Sequence, residues 1–325
     1  MLSKQRLKSV LLSGNSQEEK RAEIKKNFLQ TYELYEKLFE CIKNDKAYFK
    51  KSNRLRHPLI FYYAHTAVFF VNKLMLLGVL KKPLNQHIEA TCAIGVDEMS
   101  WDDLDEKNYN WPSISDVKKY RDDVKNIVLE LIETLPLSLP ISWNSEFWII
   151  LMGIEHEKIH FETSSVLIRE LPIADVQTHK DFTICKQDSI SPKNEMITIE
   201  KSKITLGKEK DSTLYGWDNE YGVHEVDIDE FQASKFLVSN KEFLEFVEAK
   251  GYENINYWSD EGWKWREFTS AVHPVFWQKN NVNSEYQLRT MLELVPMMWS
   301  WPADVNCHEA EAFCKYKSEQ TNQNI

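Results

Sequence analysis

The stretch MGIEHEKIHFETSSVLIREL, residues 152–171, decides how the first half of this chain is interpreted. His156 and His160 stand four residues apart, so one helical turn places both imidazoles on the same face. Such a pair arises by chance in roughly one chain in four with this many histidines, and the spacing alone is weak evidence. Its position within a long helix facing a bundle interior makes a metal site the better interpretation.

The surrounding sequence predicts a four-helix bundle. Four segments have the period and length of helices: 17–44, 58–80, 115–135 and 144–171. Pro58 suits the first turn of the second helix, Ser115 can cap the third, and Pro172 stops the fourth. We therefore expect the histidine pair to face the interior of a helical domain.

The second helix supplies a third candidate ligand. It contains HPLIFYYAHTAVFFVNKL, residues 57–74, in which His65 lies among apolar residues. A buried histidine that donates to a backbone carbonyl is the alternative for His65, but the nearby pair favours ligation. His65, His156 and His160 are the predicted metal ligands, whereas His57 is predicted to be a cap or a surface residue.

The predicted ligand set leaves the metal and the chemistry open. Three neutral imidazoles suit Zn(II), Fe(II) or copper and leave coordination positions free for catalysis. Glu157 follows His156 as the glutamate does in zinc proteases, so a hydrolase stays possible. The upstream position of His65 argues against that class. Glu162 is either close to the metal ligands or solvated.

A long connection, residues 81–114, joins the second and third helices. It contains GVDEMSWDDLDEKNYNWP, with six carboxylates and two tryptophans. We expect Trp101 and Trp111 to pack this crossover over one end of the bundle. The acidic residues are expected to be solvated, and they are Asp97, Glu98, Asp102 and Asp103 among others.

After about residue 176 the pattern changes and predicts a second domain. Short alternating runs, MITIEKSKITLGK and HEVDIDEFQASKFLVSN, have the period of strands. A capped helix follows, with Gly251 expected in a left-handed C-terminal cap, and Asn306 with Glu309 resembles a capping box. The six tryptophans between Trp258 and Trp301 are expected to form a core rather than a binding wall.

Composition narrows the function to small-molecule chemistry in a reducing compartment. The net charge of −10 argues against nucleic acid or an anionic membrane as partner. Five scattered cysteines without a CxxC pair indicate a cytoplasmic protein, with Cys307 and Cys314 as core residues. The N-terminal apolar run is too short for a signal peptide. Polar residues interrupt the apolar stretch 59–80, which favours a bundle helix over a membrane span.

Three motifs in this order resemble those of the 5-histidylcysteine sulfoxide synthases of ovothiol biosynthesis. They are residues 57–74, the stretch GVDEMSWDDL and residues 152–171. The second half, with WDNEYGVHEVDIDEF and VNCHEAEAFC, resembles the opening of a formylglycine-generating-enzyme-like domain. Ergothioneine sulfoxide synthases and selenoneine synthases share this architecture. The resemblance implies an α+β fold: a DinB-like four-helix bundle over residues 1–176, then an incomplete, loop-rich, C-type-lectin-like domain over 177–325.

The resemblance also implies an activity. It places a mononuclear non-haem Fe(II) on His65, His156 and His160, and it implies that dioxygen couples the sulfur of L-cysteine to the imidazole of L-histidine, leaving a sulfoxide. Ergothioneine-type enzymes usually carry glutamine where this chain has Ile159, which favours histidine over its trimethylated form. No further catalytic residue is predicted, because the family's second domain and its active-site tyrosine continue beyond Ile325, and a truncated form is expected.

Three alternatives stay open after the sequence has been considered. The first is an ergothioneine- or selenoneine-type synthase. The second is a DinB-like zinc-dependent thiol transferase or hydrolase, which would use a similar bundle of three histidines. The third is an inactive remnant that only binds metal.

Overall fold

The computed structural model describes residues 8–93, 109–280 and 285–325 and has an α+β fold, as predicted. Its contacts divide the chain into two compact units. The first comprises Met1–Thr183 with Thr205–His224, and the second Ile184–Ile204 with Glu225–Ile325. The predicted boundary between residues 176 and 177 stays a prediction.

Over its described residues, the first unit is built on the four predicted helices, with one short helix between the second and third. Their bounds are α1 Gln17–Phe39, α2 Leu59–Leu76, α3 Gln86–Thr91, α4 Ile114–Thr134 and α5 Glu146–Glu170. Helix α1 ends five residues earlier than predicted, because the Asn44 side chain caps a separate 3-10 turn. Helix α2 ends just before Gly78, whose φ of 72° does not continue a helix.

The helix ends agree with most of the predicted capping residues. Pro58 precedes the first turn of α2, and Pro172 follows the end of α5. The predicted cap of α4 is wrong: Ser113, not Ser115, occupies that position, and its Oγ accepts a hydrogen bond from the Asp116 amide at 3.1 Å. Both serines precede the same apolar stripe, so the sequence did not distinguish them.

Helix α2 is long and apolar enough to cross a membrane by length and composition, alone among the described helices. Yet 72% of its 18-residue window is buried inside the protein. It packs against α4 and α5. Its apolar surface is therefore used for packing within the bundle, as the sequence predicted.

A single buried guanidinium ties the bundle together. Arg121 on α4 is 1% exposed. Its Nη1 donates to the Tyr63 carbonyl at 2.8 Å and to Thr66 Oγ1 at 2.7 Å, both on α2. Its Nη2 donates to Glu157 Oε1 on α5 at 2.8 Å, and its Nε to Glu36 on α1.

Glu157 is fully buried beside this guanidinium. Burial raises the pKa of its carboxyl to about 7, since removal from water disfavours the charged form, while Arg121 and Thr66 oppose that rise. The carboxyl therefore titrates in the folded protein at a much higher pH than an exposed glutamate does.

Helices α2 and α5 approach closely at Gly153. A Cβ added at this residue would overlap the ring of Phe70, which is buried on α2. That ring also packs edge-on against Phe28 of α1, with centroids 5.6 Å apart. Gly153 precedes His156 by three residues, so this contact sets the distance between the helices near the histidines.

The segment 205–224 folds onto the bundle, although the sequence did not predict this. The Leu12 amide donates to the Thr213 carbonyl at 2.8 Å. The rings of Trp148 and Tyr215 lie 5.0 Å apart, and those of Trp143 and Tyr221 lie 4.4 Å apart. These contacts place the segment within the first compact unit.

The second half contains the predicted short strands and helices. The strands are β1 Met196–Ile199, β2 Ser202–Lys208, β3 Gly222–Ile228, β4 Phe231–Ser234, β5 Trp277–Lys279, β6 Tyr286–Arg289 and β7 Leu294–Pro296. Strand β1 pairs with β4, β2 with β3, and β5–β6–β7 form an antiparallel sheet. The helices are α6 Asn240–Glu248, α7 Asp260–Thr269 and α8 Cys307–Thr321.

Aromatic side chains form the core of the second unit. Phe243, Phe246 and Phe313 pack with Trp258 and Trp277 in one buried cluster. The remaining tryptophans of this stretch pack against its edge. This confirms that the tryptophans serve as a core between short elements.

One capping prediction for this half is wrong and one is confirmed. Lys250, not Gly251, takes the left-handed conformation after α6, with φ of 62°. Gly251 is required for a different reason, since a Cβ there would overlap the Phe246 ring. The Asn306–Glu309 capping box of α8 is confirmed.

One of the cysteine predictions agrees with the structure and the other does not. All five cysteines are free thiols, as expected. Cys307 is exposed and Cys314 is half-buried, so neither is the core residue that was predicted. The reason is that α8 packs through Ala312, Phe313 and Tyr316 instead. The predicted roles of Asp97, Glu98, Trp101, Asp102 and Asp103 lie outside the described residues.

We expect Gly153→Ala to lower the free energy of unfolding by about 1–3 kcal/mol, because the added methyl group forces Phe70 out of its packing. Urea denaturation measures this change. Glu162→Ala is the matched control, since Glu162 is exposed on the same helix, and it should change stability by less than about 0.5 kcal/mol. Equal stability of both variants would contradict the close approach of α2 and α5.

Glu157→Gln tests the buried carboxyl. A glutamate whose folded pKa lies above its unfolded value costs nothing below about pH 4.5, and its cost grows until the pH passes the folded value of about 7. From pH 5 to pH 8, we expect wild type to lose about 2.5 kcal/mol of stability relative to Glu157→Gln.

The comparison with the glutamine variant isolates this carboxyl from the histidines, whose stability contribution has the opposite pH dependence. Urea denaturation at both pH values, with a chelator present, gives the two differences. Parallel pH profiles of wild type and variant would show that Glu157 keeps an ordinary pKa in the folded state.

Candidate metal centre

The structure brings together the three histidines that the sequence selected. One nitrogen from each of His65, His156 and His160 lies within 4.8 Å of the others. His156 and His160 follow one another on successive turns of α5, and their Nε2 atoms are 3.1 Å apart. His65 reaches them from α2, which packs directly against α5.

The spacing of the His156 and His160 nitrogens fits a metal ion. Two imidazole nitrogens that each bind one metal at about 2.1 Å are separated by about 3.0–3.4 Å, depending on the coordination angle. The 3.1 Å separation of His156 and His160 falls in that range. The donor set is neutral and all-nitrogen, which suits Fe(II) and Zn(II) alike.

A backbone contact orients His65. Its Nδ1 lies 2.8 Å from the Cys92 carbonyl oxygen, just after α3. Because a carbonyl oxygen only accepts, the proton is on Nδ1, and Nε2 keeps its lone pair for a metal. The sequence presented a hydrogen bond to a backbone carbonyl and metal binding as alternatives for His65. One imidazole can do both, because each uses a different ring nitrogen.

Aromatic rings hold the imidazoles from the side. Phe69 stacks on His156 with centroids 3.7 Å apart and planes at 11°. Phe61 stacks on His65 at 4.9 Å. This packing limits the rotation of two of the three histidines.

The pKa of each histidine is shifted downward. Burial lowers the pKa of His65, and it lowers that of His156 further, with repulsion from the neighbouring imidazoles adding to the shift. Burial brings the pKa of His160 to about 3. All three are therefore neutral near pH 7, which is the state that binds a metal.

The three histidines line a cavity of about 790 Å³. Its remaining wall residues on the helices and their connections are Arg56, Val68, Phe69, Asn72, Lys73, Leu76, Ala93, Ile159 and Thr163. Trp217, Asp218 and Asn219 complete the wall from the segment that folds onto the bundle. The volume accommodates small molecules beside the histidines.

Glu157 is not part of this cavity. It points into the bundle, where Arg121 holds it. A general base of the zinc-protease type has to reach a metal-bound water, and a fully buried carboxylate paired with arginine does not. The HEKIH sequence therefore does not form a zinc-protease site in this arrangement.

The other histidine and glutamate predictions have separate outcomes. His57 is 1% exposed and packs against the rings of Phe61, Tyr109 and Trp111, so the expectation of a surface position is wrong. Glu162 is exposed, in agreement with the solvated alternative. Trp111 does pack within the bundle, as the crossover interpretation expected.

Sequence reasoning missed Arg121 and the cavity wall. Arg121 had a signal: it lies among Val117, Val124 and Val128 on the apolar stripe of α4, where a charge needs a buried partner. The wall residues Trp217, Asp218 and Asn219 had no such signal, because their position depends on folding across more than 50 residues of chain.

Two family models match the chain. Residues 27–164 match the DinB superfamily, and residues 181–322 match the sulfatase-modifying factor enzyme 1-like domain. The order of the two models agrees with the resemblance drawn from the motifs.

Curated relatives match parts of this chain. Hercynine oxygenase from Mycolicibacterium smegmatis is 26% identical over 173 residues, which are 53% of this chain and 38% of that protein. Ergothioneine biosynthesis protein 1 from Neurospora crassa is 24% identical over 228 residues, 63% of this chain and 25% of that protein. The chain thus spans less than half of the length of either relative. It joins a helical DinB domain to a domain of the sulfatase-modifying-factor type.

Proposed function

We propose that this chain carries the metal site of a non-haem Fe(II), oxygen-dependent sulfoxide synthase. The observation that carries the proposal is the convergence of three neutral histidines, His65, His156 and His160, on an open cavity. Three protein ligands leave up to three positions of an octahedral ion for other molecules. The names of the relatives, which refer to an oxygenase and to ergothioneine biosynthesis, support the same class of reaction.

The proposed reaction couples the sulfur of L-cysteine to a ring carbon of L-histidine. The thiol and the ring carbon each lose a hydrogen as the C–S bond forms. One oxygen atom of dioxygen ends on sulfur as the sulfoxide, and the other leaves as water. The bound iron would supply the activation of dioxygen and a shared point of attachment for the substrates. No further reductant is needed.

The protein's own residues provide position and environment. Phe69 and Phe61 restrain the imidazoles of His156 and His65, and the Cys92 carbonyl fixes the tautomer of His65. The buried pair of Arg121 and Glu157 holds α5 in register with α2 and α4. Proximity of two substrates within one cavity is worth several kcal/mol of the barrier.

The choice of L-histidine over a trimethylated substrate rests on Ile159. This residue lies in the cavity wall and is 46% exposed. It stands where the resemblance places glutamine in ergothioneine-type enzymes, and its side chain offers no polar group to a substrate. We therefore propose the ovothiol-type reaction and keep hercynine as the competing substrate.

A zinc-dependent thiol transferase is the second candidate, because the donor set also suits zinc. Metal analysis of protein purified without oxygen separates the two candidates. Stoichiometric zinc together with an absence of oxygen consumption would favour the transferase. A remnant without catalysis would bind metal and turn over neither substrate.

His160→Ala should abolish stoichiometric metal binding, since two remaining imidazoles hold the ion weakly. Titration with Co(II) under argon, followed by visible absorption, measures this loss. His87→Ala is the control, because His87 is exposed and lies outside the cluster. Unchanged affinity in the His160 variant would show that the ion binds elsewhere.

The affinity of wild type for Co(II) should change less than about threefold between pH 6 and pH 8. The reason is that the three imidazoles are already neutral at pH 6, given their lowered pKa values. An ordinary histidine is largely protonated at pH 6. A steep rise in affinity with pH would contradict the buried, neutral triad.

The activity is tested by reconstituting the protein with Fe(II) and supplying L-cysteine, air and either L-histidine or hercynine. We expect the sulfoxide of L-cysteine and L-histidine by mass spectrometry, and none from His160→Ala. Product from hercynine alone would assign the ergothioneine-type reaction. Failure with both substrates, while a full-length relative is active in parallel, would reject a synthase activity for this chain.

A further inference from the structure

Lys73 lies in the wall of the histidine cavity without a described role. It stands in the last turn of α2, eight residues after His65, and is half-buried. Its Nζ lies 5.2 Å from the centroid of the Phe69 ring, and that ring also stacks on His156. The ammonium is thus one aromatic ring away from a predicted metal ligand.

Among the described residues, no carboxylate forms an ion pair with Lys73, whereas the lysines that pair lie elsewhere on the bundle. Arg56 is the other cation that lines the described part of the wall, and its charge has a carboxylate nearby. The charge of Arg56 acts on Glu170 and opposes the rise in the pKa of that carboxyl. Among the described residues of the wall, Lys73 is therefore the better candidate to bind an anionic ligand.

Helix stabilisation alone does not account for this position. A lysine in the last turn of a helix interacts favourably with the helix dipole, and it does so from solvent as well. Lys73 instead directs its ammonium over a ring inside the cavity wall. Partial removal from water raises the free energy of an unpaired ammonium, and an anionic ligand offsets that cost.

The charges of the cavity indicate the kind of anion. The three imidazoles bring no negative charge, so a divalent ion and Lys73 together leave the site positive. A thiolate and a carboxylate are the anionic groups of an amino-acid thiol. The wall also holds the carboxylate of Asp218, which complements an α-ammonium group. The cavity thus matches a zwitterionic amino acid.

We infer that Lys73 binds the α-carboxylate of an amino-acid substrate beside the three histidines, an inference that rests on the proposed function. An ammonium–carboxylate contact in a partly desolvated site is worth about 1.5–3 kcal/mol. That corresponds to about 10- to 100-fold in affinity. Both proposed substrates carry such a carboxylate, so the test has one arm for each.

The test measures binding to the Co(II)-loaded protein without oxygen, by visible absorption and calorimetry. L-Cysteine is compared with cysteamine, and L-histidine with histamine, because each amine lacks only the carboxylate. We expect wild type to bind at least one amino acid about 10- to 100-fold more tightly than its amine. Lys73→Met should reduce that ratio to within about twofold by weakening the amino acid alone, and Lys73→Arg should restore most of it.

Lys82→Met is the matched control, since Lys82 is exposed and does not line the cavity. It should leave the ratio unchanged. Cobalt content and cysteamine affinity equal to those of wild type would establish that the Lys73→Met protein is folded and loaded. The substrate whose affinity advantage over its amine is lost in Lys73→Met is the one whose carboxylate Lys73 binds.

Two results overturn the inference on Lys73. One is an amino-acid preference that survives in Lys73→Met, and the other is a wild type that binds amino acid and amine equally. In both cases cysteamine still binds the cobalt protein, so the proposed metal site stands. Wild type that binds no cobalt, or no thiol on cobalt, would instead reject the proposed function together with the inference.

Discussion

The Arg121 guanidinium is the constraint on which the first domain depends, because it links all four long helices. Its partners lie on α1, α2 and α5, while its own backbone belongs to α4. Burying such charges is costly, and their attraction roughly offsets that cost. The network therefore contributes more to the register of the helices than to net stability. With Glu157 turned toward the guanidinium, the helical period of about 100° per residue turns His156 and His160 toward the cavity.

The sequence predicted the elements well because their signals are local. Helical period, strand alternation and the capping box of α8 all depend on neighbours within a few residues. The histidine cluster was also predictable, since an i, i+4 pair and one apolar histidine narrow the choice to a single arrangement in a bundle. The errors arose where two local signals were equal, as with Ser113 and Ser115, or where packing decided, as with Gly251 and the ring of Phe246.

What the sequence could not predict is contact between distant segments. The wall formed by Trp217, Asp218 and Asn219 falls within the range matched by the sulfatase-modifying-factor model, yet it folds into the same compact unit as the bundle. Tyr215 and Tyr221 of that segment pack against aromatic rings of α5 and of the preceding loop, and these contacts hold the segment in place. Sequence families divide the chain by ancestry, whereas contacts divide it by packing. The cavity takes residues from both parts of the sequence.

The contact between His65 and the Cys92 carbonyl has a consequence for how this site tolerates mutation. A main-chain oxygen is present whatever side chain residue 92 carries, so substitution there leaves the acceptor in place. His156, in contrast, is restrained by the side chain of Phe69, which a single codon change can remove. The orientation of one histidine is thus protected against sequence drift by the backbone, and that of another depends on a residue that selection has to maintain. Variation among related chains should accordingly be wider at position 92 than at position 69.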